Sequence, residues 1–218
     1  MVAPRGILWD MDGVIADSGH YHYLAYLEVL SALGVELPEK RYREQLFGRR
    51  NFDILREVLG DRPQPEIEAL AGRKEAAFRR LVKGNVKPLP GADSLVRRAH
   101  ALAKPQAIVS STPRANIELV LKSLGLRSCF DAIVSEEDVT RGKPDPQGFA
   151  LGAERLGMPP QACVVLEDAP EGIAAGKAAG MRCIGVATTR PPERLVQADL
   201  VVQTLEDRTV SEFLLDDN

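Results

Sequence analysis

Six short apolar runs recur along the chain, at residues 7–9, 107–109, 132–134, 163–166, 183–186 and 200–202. They are continuous rather than alternating, which marks strands buried on both faces. Between them apolar positions return every three or four residues, predicting helices over 92–103, 114–124, 147–156, 170–179 and 205–215. Strand and helix therefore alternate, which predicts an α/β fold with a parallel sheet covered on both sides. Residues 17–87 break that rhythm and read as helix alone, over 20–33, 39–47, 52–59 and 65–82. Gly34, Pro38, Gly48, Gly60 and Pro63 punctuate this block. Helices placed between the first strand and the second predict an insertion that caps the sheet. Its crossings are Ala16-Asp17-Ser18-Gly19 and Gly84-Asn85-Val86-Lys87-Pro88, giving a discontinuous core of 1–16 and 88–218 and a cap of 17–87. Leu24, Leu27, Leu30 and Leu33 read as cap packing rather than a cofactor box.

Composition narrows the classes. The 218 residues are 44% hydrophobic and 27% charged with a formal charge of -3, which fits a soluble globular protein with one full core and a smaller appended unit. No apolar stretch approaches the ~20 residues of a membrane span. Met1-Val2-Ala3-Pro4-Arg5 leads directly into the first strand, so no secretory leader is expected, and Asp216-Asp217 read as a solvated tail. Cys129, Cys163 and Cys183 are odd in number and widely spaced, which suits reduced core thiols in the cytoplasm rather than disulfides or zinc. Weak acidity and 5% aromatics argue against nucleic acid as a partner.

Ligands of open parallel sheets gather at the carboxyl ends of strands, so those ends carry the chemistry. The first run ends in Asp10-Met11-Asp12-Gly13-Val14. On a strand Asp10 and Asp12 leave on one side and Met11 on the other. Two crowded carboxylates stay ionised only with a cation or shared proton nearby, although turn-forming acids are the plainer reading. The second run ends in Ser110-Ser111-Thr112-Pro113, where Thr112 fits a helix cap and Pro113 the first helical position. Those hydroxyls and amides form either an ordinary cap or an anion cradle. After the third run, Lys143 is held between Gly142 and Pro144, a fixed approach unlike that of a surface lysine. The fourth ends in Glu167-Asp168, adjacent acids that suit Mg²⁺, unless Asp168 merely caps the next helix.

With these residues on four strand ends, the chain resembles the haloacid dehalogenase-like superfamily in its phosphatase and phosphomutase branch, over nearly its whole length. Asp10-x-Asp12-Gly13-Val14, Ser110, Lys143 in Gly-Lys-Pro-x-Pro, and Glu167-Asp168 are similar to its four motifs in order and spacing. The resemblance implies a Rossmann-like, doubly wound core with a small helical cap. It implies Asp10 as nucleophile and Asp12 as general acid and base, its pKa raised by the neighbouring carboxylate. It implies Mg²⁺ held by Asp10, Asp168, the Asp12 carbonyl and Glu167, directly or through water. Ser110, the Ser111 amide and Lys143 would neutralise the phosphoryl oxygens.

His22 matches a histidine of β-phosphoglucomutase-like members, and Lys74 resembles a cap lysine of that group. The mutase's cap arginine is shifted here to Arg49 and Arg50 within Gly48-Arg49-Arg50-Asn51. Its Lys-Asn after the second motif is replaced by Pro113-Arg114. These departures favour a phosphatase of small phosphorylated metabolites such as sugar phosphates over a phosphomutase. The plainer readings make His22 a buried partner on a cap helix, Arg49 and Arg50 solvated, and His100 a surface residue. A non-enzymatic phospho-Asp receiver module is the distant alternative, disfavoured by the Asp-x-Asp on the first strand and by the cap. A monomer or weak dimer is expected.

Overall fold

The apolar runs become six strands of one parallel sheet in a computed structural model that describes residues 6–215. They are β1 (Gly6–Trp9), β2 (Gln106–Val109), β3 (Ala132–Val134), β4 (Cys163–Glu167), β5 (Arg182–Val186) and β6 (Leu200–Val202), ordered β3-β2-β1-β4-β5-β6. The expected lead-in of residues 1–5 and the acidic pair Asp216-Asp217 lie outside the described residues. Trp9 faces Ile108 on one side and Leu166 on the other, so β1 is central.

Alternation along β1 divides the core. Ile7 and Trp9 join one apolar cluster with Val96 of α5 (Ala92–Ala101), Ile117 of α6 (Arg114–Ser123) and Val210 of α9 (Arg208–Leu215). Leu8 joins the opposite cluster with Phe149 of α7 (Gln147–Arg155) and Ile173 of α8 (Pro170–Ala178). Each such fully buried large side chain contributes about 1.5–3 kcal/mol. Gln106, a polar side chain buried within the sheet, is satisfied: Trp9 Nε1 donates to Gln106 Oε1 at 3.0 Å, and Gln106 Nε2 donates to the carbonyls of Val96 and Cys129 at 3.1 Å. The three cysteines are buried and free. Among the described residues, no helix is long and apolar enough to cross a membrane.

The helical block comprises α1 (Gly19–Ser31), α2 (Glu39–Arg41), α3 (Asn51–Leu59) and α4 (Gln64–Val82). It carries its own cluster, including Tyr26, Leu30, Tyr42, Leu46, Leu55 and Ile67. Its two connections run side by side, Asp17 N donating to Lys87 O at 3.0 Å and Leu89 N to Ile15 O at 2.9 Å. That paired crossing holds the block over the carboxyl ends of the strands.

Four local expectations are corrected. The helix read over 39–47 widens after α2 into a π-helix, Tyr42–Leu46, closed by the Phe47 amide on Tyr42 O at 2.9 Å. Pro113 is the extended residue before α6 (φ -58, ψ 143), so Thr112 does not cap it. The last helix starts at Arg208, because Asp207 Oδ1 accepts the Thr209 amide at 2.9 Å and forms a turn first. Finally, the leucine stripe of α1 packs only in part: Leu30 is buried in the block's cluster and Leu27 lies against it, beside His22, Ala25, Tyr26 and Val29, whereas Leu33 stays 37% exposed.

Candidate active site

The strand order reverses between the parallel neighbours β1 and β4, where connections diverge to opposite sides of the sheet. That crevice is where open α/β sheets bind ligands. Asp10 N still donates to Leu166 O at 3.0 Å, then the chain turns so that Met11 O accepts the amides of Ile15 and Ala16 at 3.0 and 2.9 Å. Met11 is fully buried in the core, while Asp10 and Asp12 line the crevice. Gly13 makes the turn at φ 91, and a Cβ there would stand 2.8 Å from Asp168 Cγ and 2.9 Å from Thr189 Cγ2. Only glycine satisfies both demands. The amides of Met11, Asp12 and Ser111 find no acceptor among the described residues, which leaves donors beside Asp10 for an anion.

The crevice opens into a cavity of about 420 Å³ between the sheet and the helical block. Every candidate site residue lies on its wall: Asp10, Asp12, Ser110, Ser111, Lys143, Glu167 and Asp168 from the core, and His22, Arg49, Arg50 and Lys74 from the block. The exposed His100 lies outside it. Ser110 is anchored by its amide on Val134 O at 3.0 Å, and its hydroxyl has no partner among the described residues. The amide of Arg114 at the start of α6 already donates to the Glu137 carboxylate at 3.0 and 3.2 Å, so that amide is not a free anion donor.

Lys143 Nζ donates to Asp10 Oδ1 at 2.5 Å, to Glu167 Oε1 at 2.6 Å and to Val109 O at 3.2 Å. Burial works against its charge, but Asp10 and Glu167 outweigh that and hold its pKa above the ordinary lysine value. Glu167 Oε2 accepts the amides of Asp168 and Ala169, both at 2.9 Å, so both of its oxygens are engaged. Asp168 Oδ2 accepts from the Thr189 hydroxyl, and Ala169, not Asp168, is the residue before α8. Burial and the neighbouring carboxylates push Asp10 well above the usual carboxylate range despite Lys143. Burial and then Glu167 push Asp168 to about 7.

Three buried carboxylates thus face one ammonium, an arrangement short of positive charge. Among the described residues, no three acidic, histidine or cysteine side chains form a ready-made metal cage. Mg²⁺, however, takes one or two carboxylates and fills its shell with water and substrate oxygens. Asp10 Oδ2, Asp168 Oδ1 and the Asp12 carbonyl accept no hydrogen bond among the described residues, so the donor set fits that ion.

Asp12 belongs to a second network. It accepts from the Ser18 hydroxyl and from His22 Nε2 at 3.3 Å. His22 stacks on Phe78 with ring centres 3.8 Å apart, and its Nδ1 lies 2.9 Å from Lys74 Nζ. An ammonium only donates, so Nδ1 accepts and the ring proton sits on Nε2, facing Asp12. Lys74 also donates to Glu75 Oε1 at 2.8 Å. The expected rise of the Asp12 pKa is overturned. Burial does push it up, but His22, the Ser18 hydroxyl and Lys74 together hold it below the usual value. The neighbouring Asp10 is a weaker influence than partners brought from the helical block.

The cap arginines both make contacts, although the buried Arg50 Nε finds no partner. Arg49 Nη1 donates to Glu57 Oε2 at 2.6 Å, and Arg50 Nη1 to Thr140 O at 3.1 Å. In the reverse direction, the core residue Arg190 donates to Arg43 O at 2.7 Å and Phe47 O at 3.2 Å. Sequence reading missed Ser18, Thr189 and Arg190. Thr189 could have been found, since it follows β5 just as the other site residues follow their strands.

A parallel sheet with acids, hydroxyl and lysine at its strand ends under a helical block defines a phosphoryl- or acyl-transfer type of α/β enzyme. The model of the haloacid dehalogenase-like hydrolases matches residues 4–180, and the chain belongs to that family. It is 37% identical over 183 residues to fructose-1-phosphate phosphatase YqaB of Escherichia coli (strain K12), covering 83% of this chain and 95% of that protein. It is 34% identical over 226 residues to hexitol phosphatase B of the same organism, covering 98% and 100%. A crystal structure of β-phosphoglucomutase from Clostridium difficile superposes with a TM-score of 0.86 at 27% identity, covering 98% of this chain and 97% of that one.

Proposed function

We propose that this enzyme is a Mg²⁺-dependent phosphatase of small phosphomonoesters, sugar phosphates foremost, acting through an aspartyl-phosphate on Asp10. One observation carries the reading: Asp10, Asp12, Ser110, Lys143 and Asp168, drawn from four strand ends, line one cavity. Asp10 attacks phosphorus while Asp12, ionised in the free enzyme and shifted toward its protonated form by the negative charge of the bound ester, protonates the leaving oxygen, and Asp12 then takes the proton from the water that releases phosphate. The His22 Nε2 proton orients the Asp12 carboxyl through its 3.3 Å contact. Ser110, Lys143 and the free amides of Met11, Asp12 and Ser111 meet the charge that spreads over the phosphoryl oxygens. Asp10, Asp168 and the Asp12 carbonyl would hold Mg²⁺, which would supply further positive charge there. Glu167, with both oxygens engaged, aims Lys143. Residues 17–87 act as a cap that keeps water from the site and admits compact substrates. Three free thiols suit a reducing, cytoplasmic setting.

The phosphomutase reading is less well supported, because a mutase must also grip a second phosphate. Arg49 and Lys74 are paired with carboxylates and Arg190 donates to backbone carbonyls, which leaves on the cavity wall Arg50, whose buried Nε has no partner, and Arg194, which has none among the described residues. A phosphate-release screen over sugar phosphates tests this, including glucose 1-phosphate isomers with a bisphosphate primer. Free sugar and phosphate are the expected products. Accumulation of glucose 6-phosphate would overturn the phosphatase assignment, and no turnover of any ester with Mg²⁺ would overturn both.

A further inference from the structure

Asn116 belongs to the core, on α6, and none of its surface is exposed. The helical block nevertheless reaches it twice. Its Nδ2 donates to Glu75 Oε2, and its Oδ1 accepts from Arg79 Nη1 at 2.9 Å. Glu75 and Arg79 are one turn apart on α4, so they bracket the amide from one helix face. Asn116 Nδ2 also lies 3.3 Å from Thr112 Oγ1, in the loop that presents Ser110 and Ser111. From Glu75 the contacts continue without a gap through Lys74 and His22 to Asp12. Asn51, donating to Glu75 Oε1 at 3.0 Å, completes the carboxylate's partners.

We propose that the Glu75–Asn116 pair is the docking point that registers the helical block on the core, and that this register sets Lys74 and His22 on Asp12. Both are positioning residues for protonation of the leaving group, and the proposal rests on the phosphatase reading. The weak point of the chain explains why register matters. At 3.3 Å, the His22–Asp12 contact is at the long end for a hydrogen bond, so a shift of a few tenths of an ångström in α1 or α4 breaks it. Docking at Asn116, a residue with donor and acceptor both engaged, fixes α4 to that tolerance. In the step concerned, the Asp10–phosphorus bond forms as the ester P–O bond breaks. The leaving oxygen keeps that electron pair and takes its proton from Asp12.

The test compares two esters of similar size in the full-length enzyme with Mg²⁺. Benzyl phosphate leaves as an alkoxide that needs the proton, whereas p-nitrophenyl phosphate leaves as a phenolate that does not. Asn116→Leu is expected to lower kcat/KM about 10- to 50-fold on benzyl phosphate and less than about 3-fold on p-nitrophenyl phosphate. Glu75→Gln, which keeps the shape and one acceptor, should fall between wild type and Asn116→Leu. Adding His22→Gln to Asn116→Leu should cause little further loss on benzyl phosphate, because the two act through one contact. If Asn116→Leu does not fold, Glu75→Gln carries the same comparison. An equal loss on both esters, no loss on either, or additive losses in the double variant would overturn the proposal while leaving the phosphatase reading intact. Failure of the wild type to release phosphate from either ester would instead remove the functional reading, and the proposal with it.

Discussion

Gly172→Ala should destabilise the protein, although alanine normally favours a helix. Gly172 lies in the first turn of α8, and the helix propensity gained by adding a methyl is at most about 1 kcal/mol. A Cβ at this position would overlap Glu167 Oε1 and Cδ and stand 2.5 Å from Oε2. The carboxylate must therefore leave its seat, and it loses Lys143 at 2.6 Å and the amides of Asp168 and Ala169 at 2.9 Å. Hydrogen bonds to a charged group are worth about 1.5–3 kcal/mol each, and partial relaxation recovers some of the three. A net loss of about 3 kcal/mol results, a fall of roughly 6–12 °C in Tm for a chain of this size. Lys143 loses one of its two anionic partners at the same time, so kcat/KM should drop about 10- to 100-fold. Gly72→Ala is the control. Gly72 is exposed within α4, and a Cβ there meets nothing within 4 Å, so this change should stabilise by about 0.5–1 kcal/mol. Thermal unfolding by circular dichroism and phosphate release read both variants. If Gly172→Ala melts at or above the wild type and keeps its activity, Glu167 is not held by that glycine and the reasoning fails.

Asp10→Asn should abolish turnover of every ester while keeping the wild-type circular dichroism spectrum, and retained hydrolysis would exclude the covalent route. Burial, then Glu75 and Glu137, raise Glu136 from 4.5 to about 7, so the native state holds a proton that the unfolded chain releases between those values and stability falls as pH rises through them. Glu136→Gln should therefore stabilise by about 1–2 kcal/mol at pH 8 and leave stability unchanged at pH 4, as measured by denaturant unfolding. Chelation should stop turnover, and added Mg²⁺ should raise Tm in wild type but far less in Asp168→Asn. An equal thermal shift in both would show that Asp168 does not hold the ion.

The sheet was legible because β1, β2 and β4 are buried on both faces and so appear as unbroken apolar runs. The strand-end rule then pointed to Asp10, Lys143 and Asp168, since a carboxylate or ammonium next to such a run has no bland place to go. What stayed hidden depends on contacts between distant segments. Asn116 and Glu75 look like polar positions on amphipathic helices, and nothing local shows that they meet. Gly172 reads as a mild helix weakener until the Glu167 carboxylate is seen above it. The Asp12 pKa was misjudged for the same reason: proximity in sequence to Asp10 suggested a rise, and burial does raise it, but His22, then the Ser18 hydroxyl and Lys74, all brought by the helical block, carry it below the usual value.

The two networks around Asp10 and Asp12 differ in charge, and that difference separates their duties. Around Asp12, the Lys74 ammonium offsets Glu75, with His22 lying between Lys74 and Asp12 and Asn51 and Asn116 completing Glu75. With Asp12 ionised this cluster carries one negative charge beyond balance, but its densely bonded partners make it rigid, and it suits a carboxyl that must give and take a proton at one fixed place. Around Asp10, three carboxylates lie near one ammonium, Lys143 pairing with Asp10 and Glu167 alone, and Asp10 and Asp168 are both pushed upward. At an effective dielectric near 20, two like charges about 4 Å apart repel by about 4 kcal/mol, so an incoming phosphate would worsen that imbalance. A divalent cation reverses it, drawing in the anion that the bare carboxylates repel. The imbalance that costs stability in the protein alone is therefore what makes cation and phosphate ester bind together, directly over the nucleophile.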